Sequence, residues 1–331
     1  MNAAREICLF YSVFYSLLKI YARFAIRIYC RKIIINKPGI LNMEGPLLLA
    51  ANHPNSFLDG IILTTLFEHP VYSLARGDAF KNRILDRILR RIKLLPVYRT
   101  SEGVGNLGEN YTTFASCRKA FEEGGIVLIF SEGKCENEWH LRPLKKGTAR
   151  LAITSWQQGI PLRVIPTAFN YSSFRDFGKE VHLYFGEEID PAFLQQETTE
   201  GRQLLAFNER LNHQLGQMVY EIDPADVDTI RGRFNVRITP AFYMLLLPAI
   251  AGWILHAPLF YPLKFFTRRH FKSSDHYDSV LTSLLFLSYP FYILVVSLIS
   301  FSITPLLGVA PLVVLPFSAW ALVQVKYQLG I

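Results

Sequence analysis

His53 and Asp59 are the residues whose types and spacing offer chemistry. Six positions on a regular helix lie roughly 240° apart. The pair therefore meets only where His53 sits in a turn and Asp59 in the first turn of the helix that follows. The sequence supplies that arrangement. Pro46-Leu47-Leu48-Leu49-Ala50 reads as a buried strand, and Gly60-Ile61-Ile62-Leu63 onward reads as a helix. Between them, Pro54, Asn55 and Ser56 provide turn and helix-cap chemistry. A carboxylate against one ring nitrogen of His53 fixes the tautomer and leaves the other nitrogen as a base. The competing reading is structural: His53 caps a turn and Asp59 satisfies a helix N-terminus.

Three further stretches put polar residues at the ends of apolar runs, where open α/β sheets place ligands. In Lys93-Leu94-Leu95-Pro96-Val97-Tyr98-Arg99, the terminal guanidinium suits paired hydrogen bonds to a phosphate. Ile126-Val127-Leu128-Ile129-Phe130 stops on Ser131-Glu132-Gly133. Glu132 is thereby placed at a strand mouth, to orient an acceptor hydroxyl or brace Arg99, and Gly133 permits close backbone approach. Downstream, Lys145 and Lys146 open a helix whose dipole disfavours cations there, which makes sense beside an anionic partner. A solvated charged face is the alternative. The third stretch, Val164-Ile165-Pro166-Thr167, carries a proline inside a strand, which predicts a sheet edge or a bulge.

The elements that must position these residues alternate between short apolar runs and helical patterns. Strands are predicted at Leu47–Ala51, Val71–Leu74, Leu94–Tyr98, Ile126–Phe130, Arg163–Phe169 and Val181–Phe185, and helices near 60–67, 79–92, 107–124, 146–158 and 192–221. The fold class is α/β, a mixed and largely buried sheet flanked by helices, over residues 37–237. Residues 1–36 precede it. There, Lys19, Arg23, Arg27 and Arg31 recur every fourth position among aromatic and aliphatic residues. That pattern predicts a helix in a membrane interface with its basic row at anionic head groups; a packed first helix is the alternative.

Residues 238–331 are different in kind. Thr239–Leu263 holds no Asp, Glu, Lys or Arg, although Pro248, Pro258 and Pro262 interrupt it, and Ser279–Val325 is free of those charges over 47 residues, about twice the ~20 that one span needs. Pro305, Gly308 and Pro311 predict a turn, so 279–304 and 309–325 read as a membrane hairpin. The basic 264–278 loop and Lys326 would share the cytosolic side by the positive-inside bias. Residues 240–263 are accordingly expected to be re-entrant or interfacial.

Composition agrees with lipid contact. Half the residues are hydrophobic, 14 % are aromatic, mean hydropathy is +0.21 and net charge is +8. The charge suits an anionic partner, and the apolar ends favour lipid over nucleic acid, for which no stripe of basic and stacking residues is present. Cys8, Cys30, Cys117 and Cys135 show no CxxC or metal spacing, which predicts reduced thiols and no metal. The N-terminus shows no clear cleavage site for a secretory signal, which places the α/β part on the cytoplasmic face of a membrane.

Taken in order and spacing, the four stretches resemble the glycerolipid acyltransferases typified by 1-acylglycerol-3-phosphate acyltransferase. That family shows an Asn-His-x4-Asp block, a Gly-x-x-[Phe/Pro]-[Ile/Val]-x-Arg block, a Pro-Glu-Gly-Thr block and a proline-containing strand. The resemblance covers roughly residues 40–190. Here five residues rather than four separate His53 from Asp59, as in some glycerol-3-phosphate acyltransferases. Lys93 stands for the second block's Gly, Ser131 for the third block's Pro and Lys134 for its Thr.

The resemblance implies that His53 deprotonates an acceptor hydroxyl as it attacks an acyl thioester of coenzyme A or acyl carrier protein. Asp59 would support the imidazolium, and backbone N–H groups after His53 would donate to the oxyanion. Substrate binding falls to Arg99, Ser131, Glu132, Gly133, Lys145, Lys146 and Pro166. No metal or redox cofactor is implied. The expected partners are membrane lipid, the acyl carrier and lysophosphatidic acid or a related acceptor. Glycerol-3-phosphate or a lyso-aminolipid is the alternative acceptor, and a non-catalytic lipid-binding membrane protein the alternative outside enzymology.

Overall fold

The computed structural model describes residues 2–98, 107–197, 199–234 and 237–329, without the side chains of 2–12 and 107–111. Helix α1 (Asn2–Tyr29) leads into β1 (Cys30–Ile35). An alternating stretch follows: β2 (Leu47–Ala51), α2 (Ser56–Leu66), β3 (Val71–Arg76), α3 (Arg83–Arg91), β4 (Leu94–Val97), α4 (Leu107–Glu122), β5 (Ile126–Phe130), α5 (Lys146–Gln157), β6 (Arg163–Tyr171) and β7 (Lys179–Phe185). Helices α6 (Glu200–Met218) and α7 (Val227–Arg233) close the α/β part. Three apolar helices end the chain: α8 (Pro240–Phe271), α9 (Tyr277–Ile303) and α10 (Pro311–Gln328).

The seven strands form one mixed sheet in the order β1-β7-β6-β2-β5-β3-β4, parallel throughout except between β6 and β7. Covering both faces explains the unbroken apolar runs. In β2, Leu47, Leu49 and Ala51 pack with Leu58, Ile62 and Leu63 of α2 and with Ile26 of α1. Leu48 and Ala50 point the other way, among Phe121 of α4, Leu151 of α5 and Phe207 of α6. Local caps agree with the boundaries: Asn82 accepts from Ile84 N–H and Leu85 N–H at the start of α3.

Two expectations about the sheet change. Pro166 is at neither an edge nor a bulge, because β6 lies between β7 and β2 and Pro166 pairs in register with Ala50. The ladder to β7 ends at Thr167–Phe185, and the Pro166 carbonyl accepts from Gly186 N–H just past it. The missing N–H therefore falls beyond the last strand pair, where no ladder bond is lost. The strand β1 was not predicted. Arg31 lies in it and pairs with Glu180 of β7 at 3.0 Å.

The basic row of α1 also serves a different end. Lys19 Nζ donates to Glu68 O at 3.0 Å and Arg23 Nε to Thr65 O at 2.8 Å. They thus answer the carbonyls at the C-terminus of α2, where cations are favoured. Arg27 of the row stays exposed, but most of what α1 shows outward is apolar: Val13, Leu17, Ile20 and Phe24 are exposed at helical spacing.

Residues 240–263 form no re-entrant turn. They lie in the single 32-residue helix α8, which contains Pro248, Pro258 and Pro262. At about 1.5 Å per residue such a helix exceeds the ~30 Å apolar thickness of a bilayer. Both α8 and α9 are long and apolar enough to cross one, and α9 exposes Leu287, Phe291, Leu294, Leu298 and Ile299. The expected turn between α9 and α10 is present at Pro305–Gly308.

Helices α8 and α10 run antiparallel, with Thr239 N–H bonded to the Gln328 side chain at one end and Gly252 against Ser318 further along. A Cβ on Gly252 would lie 2.2 Å from the Ser318 carbonyl oxygen, the close approach that small residues permit between apolar helices. Gly252→Val is expected to destabilise the protein by about 1–3 kcal/mol, read as a lowered melting temperature in detergent. An unchanged melting temperature would contradict this pairing.

Candidate active site

Chain direction across the sheet creates the crevice. From β2 the chain passes through α2 to β3, beyond β5; from β5 it passes through α5 to β6, on the other side of β2. The two crossovers leave neighbouring strands in opposite directions, and ligands bind outside the carboxyl ends of strands at such a switch point. His53 follows the end of β2 and Glu132 the end of β5, and Ser131 N–H donates to Ala51 O at 2.8 Å.

His53 and Asp59 meet because α2 begins at Ser56 and puts Asp59 in its first turn. His53 Nδ1 lies 2.9 Å from Asp59 Oδ2. Asp59 is fully buried, and Asn55 N–H donates to the same Oδ2 at 3.0 Å while Tyr171 OH donates to Oδ1 at 2.5 Å. With three donors on the carboxylate, its orientation is set from the turn, the helix and β6 together. The imidazole stacks on Phe130, centroids 3.7 Å apart, and its side chain is 16 % exposed. Nδ1 is engaged, so Nε2 is the nitrogen turned toward an incoming ligand.

The turn's backbone is fully committed. His53 N–H donates to Glu132 Oε2 at 2.8 Å, Asn55 N–H to Asp59, and Ser56 N–H to the Cys135 sulfur at 2.9 Å. Pro54 has no N–H. The expectation that N–H groups directly after His53 await an oxyanion is therefore corrected: those of Asn55 and Ser56 hold the turn itself. Ser56 adopts φ +51, a conformation a non-glycine residue keeps only where its surroundings enforce it.

Glu132 is buried, and its carboxylate bridges two backbone segments: Oε2 accepts from His53 N–H and Oε1 from Arg142 N–H at 3.0 Å. It holds the His53 turn rather than facing a ligand. Burial pushes its carboxyl up from 4.5 to about 7, against the pull of those two N–H groups. Burial, with Asp59 beside it, likewise holds the Tyr171 hydroxyl well above its ordinary range, so it stays a donor. Burial raises the Cys135 thiol in the same way.

The other predicted residues divide. Ser131 is buried and its Oγ accepts from Thr148 Oγ1 at 3.0 Å. Gly133 has φ +68, and a Cβ there would lie 3.0 Å from the Lys145 stem. Lys145 N–H donates to Ser131 O at 2.7 Å, which puts the start of α5 beside the Glu132 loop with Lys145 and Lys146 exposed. Pro166 is buried in the sheet by Ala50 and Gly186 and offers no surface to a substrate, so that expectation is corrected. Arg99 lies outside the described residues. Among the described residues, no group of three or more His, Cys, Asp or Glu is placed to hold a metal ion.

Sequence reasoning missed Tyr171, Cys135 and three residues at the start of α9, His276, Asp278 and Ser279, which touch Asn55 or Ser56. None carries a local signal. Tyr171 comes from 112 positions beyond Asp59, and only the sheet's order brings it there.

Comparison with known proteins concerns the chain over its α/β part. Residues 32–170 match the Acyltransferase family. Over 195 residues, 57 % of this chain and 89 % of the relative, the sequence is 27 % identical to a 1-acyl-sn-glycerol-3-phosphate acyltransferase of Bacillus subtilis (strain 168). Among solved structures, the 1-acyl-sn-glycerophosphate (LPA) acyltransferase PlsC from Thermotoga maritima is similar at TM-score 0.40 and 13 % identity, over 61 % of this chain and 79 % of that one.

Proposed function

We propose that this chain, whose residues 32–170 match the Acyltransferase family, is a glycerolipid acyltransferase that moves a fatty acyl group from acyl-CoA or acyl carrier protein to the free hydroxyl of 1-acylglycerol-3-phosphate. The observation that carries this reading is the His53–Asp59 pair at the mouth of β2, 2.9 Å apart with Nδ1 turned inward. In it, His53 Nε2 takes the proton of the acceptor hydroxyl as that oxygen attacks the thioester carbonyl. Asp59 keeps the Nδ1–H tautomer and offsets the imidazolium charge. Collapse of the tetrahedral intermediate breaks the C–S bond, and the proton on Nε2 goes to the departing thiolate. No residue is acylated, and the reading needs no metal or redox cofactor.

The relative's name supports the acceptor. Arg99, with Lys145 and Lys146 exposed beside the Glu132 loop, would hold its phosphate. Ser131 and Gly133 shape that loop. The apolar length of α8 and α9 supports a membrane-bound enzyme, and the basic residues beside them favour the cytoplasmic face for its α/β domain. A cavity of about 640 Å³ between α1, α8, α9 and α10, lined mainly by apolar side chains, agrees with a lipid setting.

The test offers purified protein acyl-CoA or acyl carrier protein donors and three acceptors: lysophosphatidic acid, glycerol-3-phosphate and a lyso-aminolipid. Diacylated phosphatidic acid from the first is the expected product. Product from another acceptor alone would replace the substrate, and no product with any pair would overturn the enzymatic reading.

A further inference from the structure

The start of α9, more than a hundred residues past the segment that matches the family, closes on the His53 turn. Asp278 is fully buried and accepts from Asn55 Nδ2 at 2.9 Å, from the Tyr29 hydroxyl and from the Lys179 ammonium, itself fully buried. Ser279 Oγ donates to Asn55 O at 3.1 Å, and His276 Nδ1 lies 2.8 Å from Ser56 Oγ. Asp275 accepts from Asn137 N–H at 3.2 Å, and the Asn137 side chain donates to Pro54 O at 2.8 Å. Pro54, Asn55 and Ser56 are thus each tied, directly or through Asn137, to residues 275–279.

The consequence lies in what Asn55 does with its other groups. Its N–H donates to Asp59 Oδ2, the oxygen that faces His53 Nδ1. A shift of Asn55 therefore moves the carboxylate contact that orients the imidazole. Ser56, next in the chain, is at a positive φ that requires external support. A buried ion pair such as Lys179–Asp278 is replaceable by apolar side chains with little loss of stability. Its distinctive contribution is a fixed acceptor aimed at Asn55.

We propose that Asp278, with His276 and Ser279, is a positioning residue: the start of α9 clamps the Asn55–Ser56 turn and thereby sets the His53–Asp59 geometry. The clamp couples the α/β site to the seating of the apolar C-terminal helices. It rests on the reading of His53 as the base.

Two variants separate positioning from folding. Lys179→Met/Asp278→Asn removes the buried charges and keeps an oxygen for Asn55; Lys179→Met/Asp278→Leu removes the charges and the oxygen. In the full-length protein in detergent, the Asn variant is expected to hold kcat within threefold of the parent. The Leu variant is expected to lose 10- to 100-fold in kcat with both KM values within threefold. Carbethoxylation of His53 by diethyl pyrocarbonate, followed on its peptide by mass spectrometry, is expected to run severalfold faster in the Leu variant alone.

Equal kcat and equal labelling in the two variants overturn the clamp. So does a loss in the Leu variant that raises KM in proportion. If that variant does not fold, His276→Phe at the exposed end of the clamp takes its place, with a three- to tenfold fall in kcat at constant KM expected and no change overturning the proposal. Labelling needs no acyl transfer, so a parent protein without activity ends the functional reading while labelling still decides the clamp.

Discussion

Replacing His53 with alanine is expected to lower kcat/KM for acyl transfer about 1,000-fold, within the 100- to 10,000-fold that a positioned general base contributes, while the protein stays folded. The imidazole is at the surface of the crevice, and it stacks on one face of Phe130 rather than filling the core. Its loss leaves little cavity, so melting temperature should change by only a few degrees. Asp59→Asn is a sharper companion. The amide keeps the shape but presents one acceptor where the carboxylate serves His53, Asn55 and Tyr171, and a side-chain NH2 facing Nδ1 selects the other tautomer. Nε2 then carries the proton and is no base. Steady-state rates alongside thermal melting check both variants, and full activity in either would remove the pair from the mechanism.

The same pair shows what a sequence discloses and what it withholds. Leu47–Ala51 and Ile126–Phe130 are legible because helices cover both sheet faces, so every side chain is apolar and the run has sharp ends. The polar residue after each run is then visible as a site candidate. β1 is hidden because Arg31 continues the every-fourth-residue basic row of α1; the β-branched Ile33-Ile34-Ile35 was the contrary signal. Pro248, Pro258 and Pro262 argue against a long helix under soluble rules, yet α8 runs through all three, as apolar helices packed on neighbours do. Glu132 was visible as a residue at a strand mouth but not as a strut, because its partners are the backbone N–H groups of His53 and Arg142. Tyr171 and Asp278 reach Asp59 and Asn55 only through strand order and the return of α9. Local pattern finds the residues that end an element, and long-range topology supplies the residues that hold them.

Glu132 carries the second large effect, and it appears as a pH dependence of stability. Burial raises its carboxyl from 4.5 to about 7. Between those values the folded protein binds more protons than the unfolded chain, so stability falls as pH rises. The loss is complete above the folded value and amounts to about 3 kcal/mol, from 1.36 kcal/mol per unit. Glu132→Gln removes this titration. At pH 4.5 the protonated carboxyl still offers a second oxygen lone pair to the two N–H groups of His53 and Arg142, whereas the amide nitrogen accepts nothing, so the variant starts below the parent there, by about 1–3 kcal/mol for the group left unsatisfied. As pH rises to 8 the parent loses its advantage and the variant does not. All other titrating groups are common to both proteins, so the difference between their stabilities isolates Glu132. Denaturant unfolding at pH 4.5, 6 and 8 should show that difference shrink and then reverse or vanish; a constant difference would mean that burial does not raise the Glu132 carboxyl. Acyl transfer should not gain from the change, because the bond that the amide loses or weakens is one that fixes the backbone of the base itself.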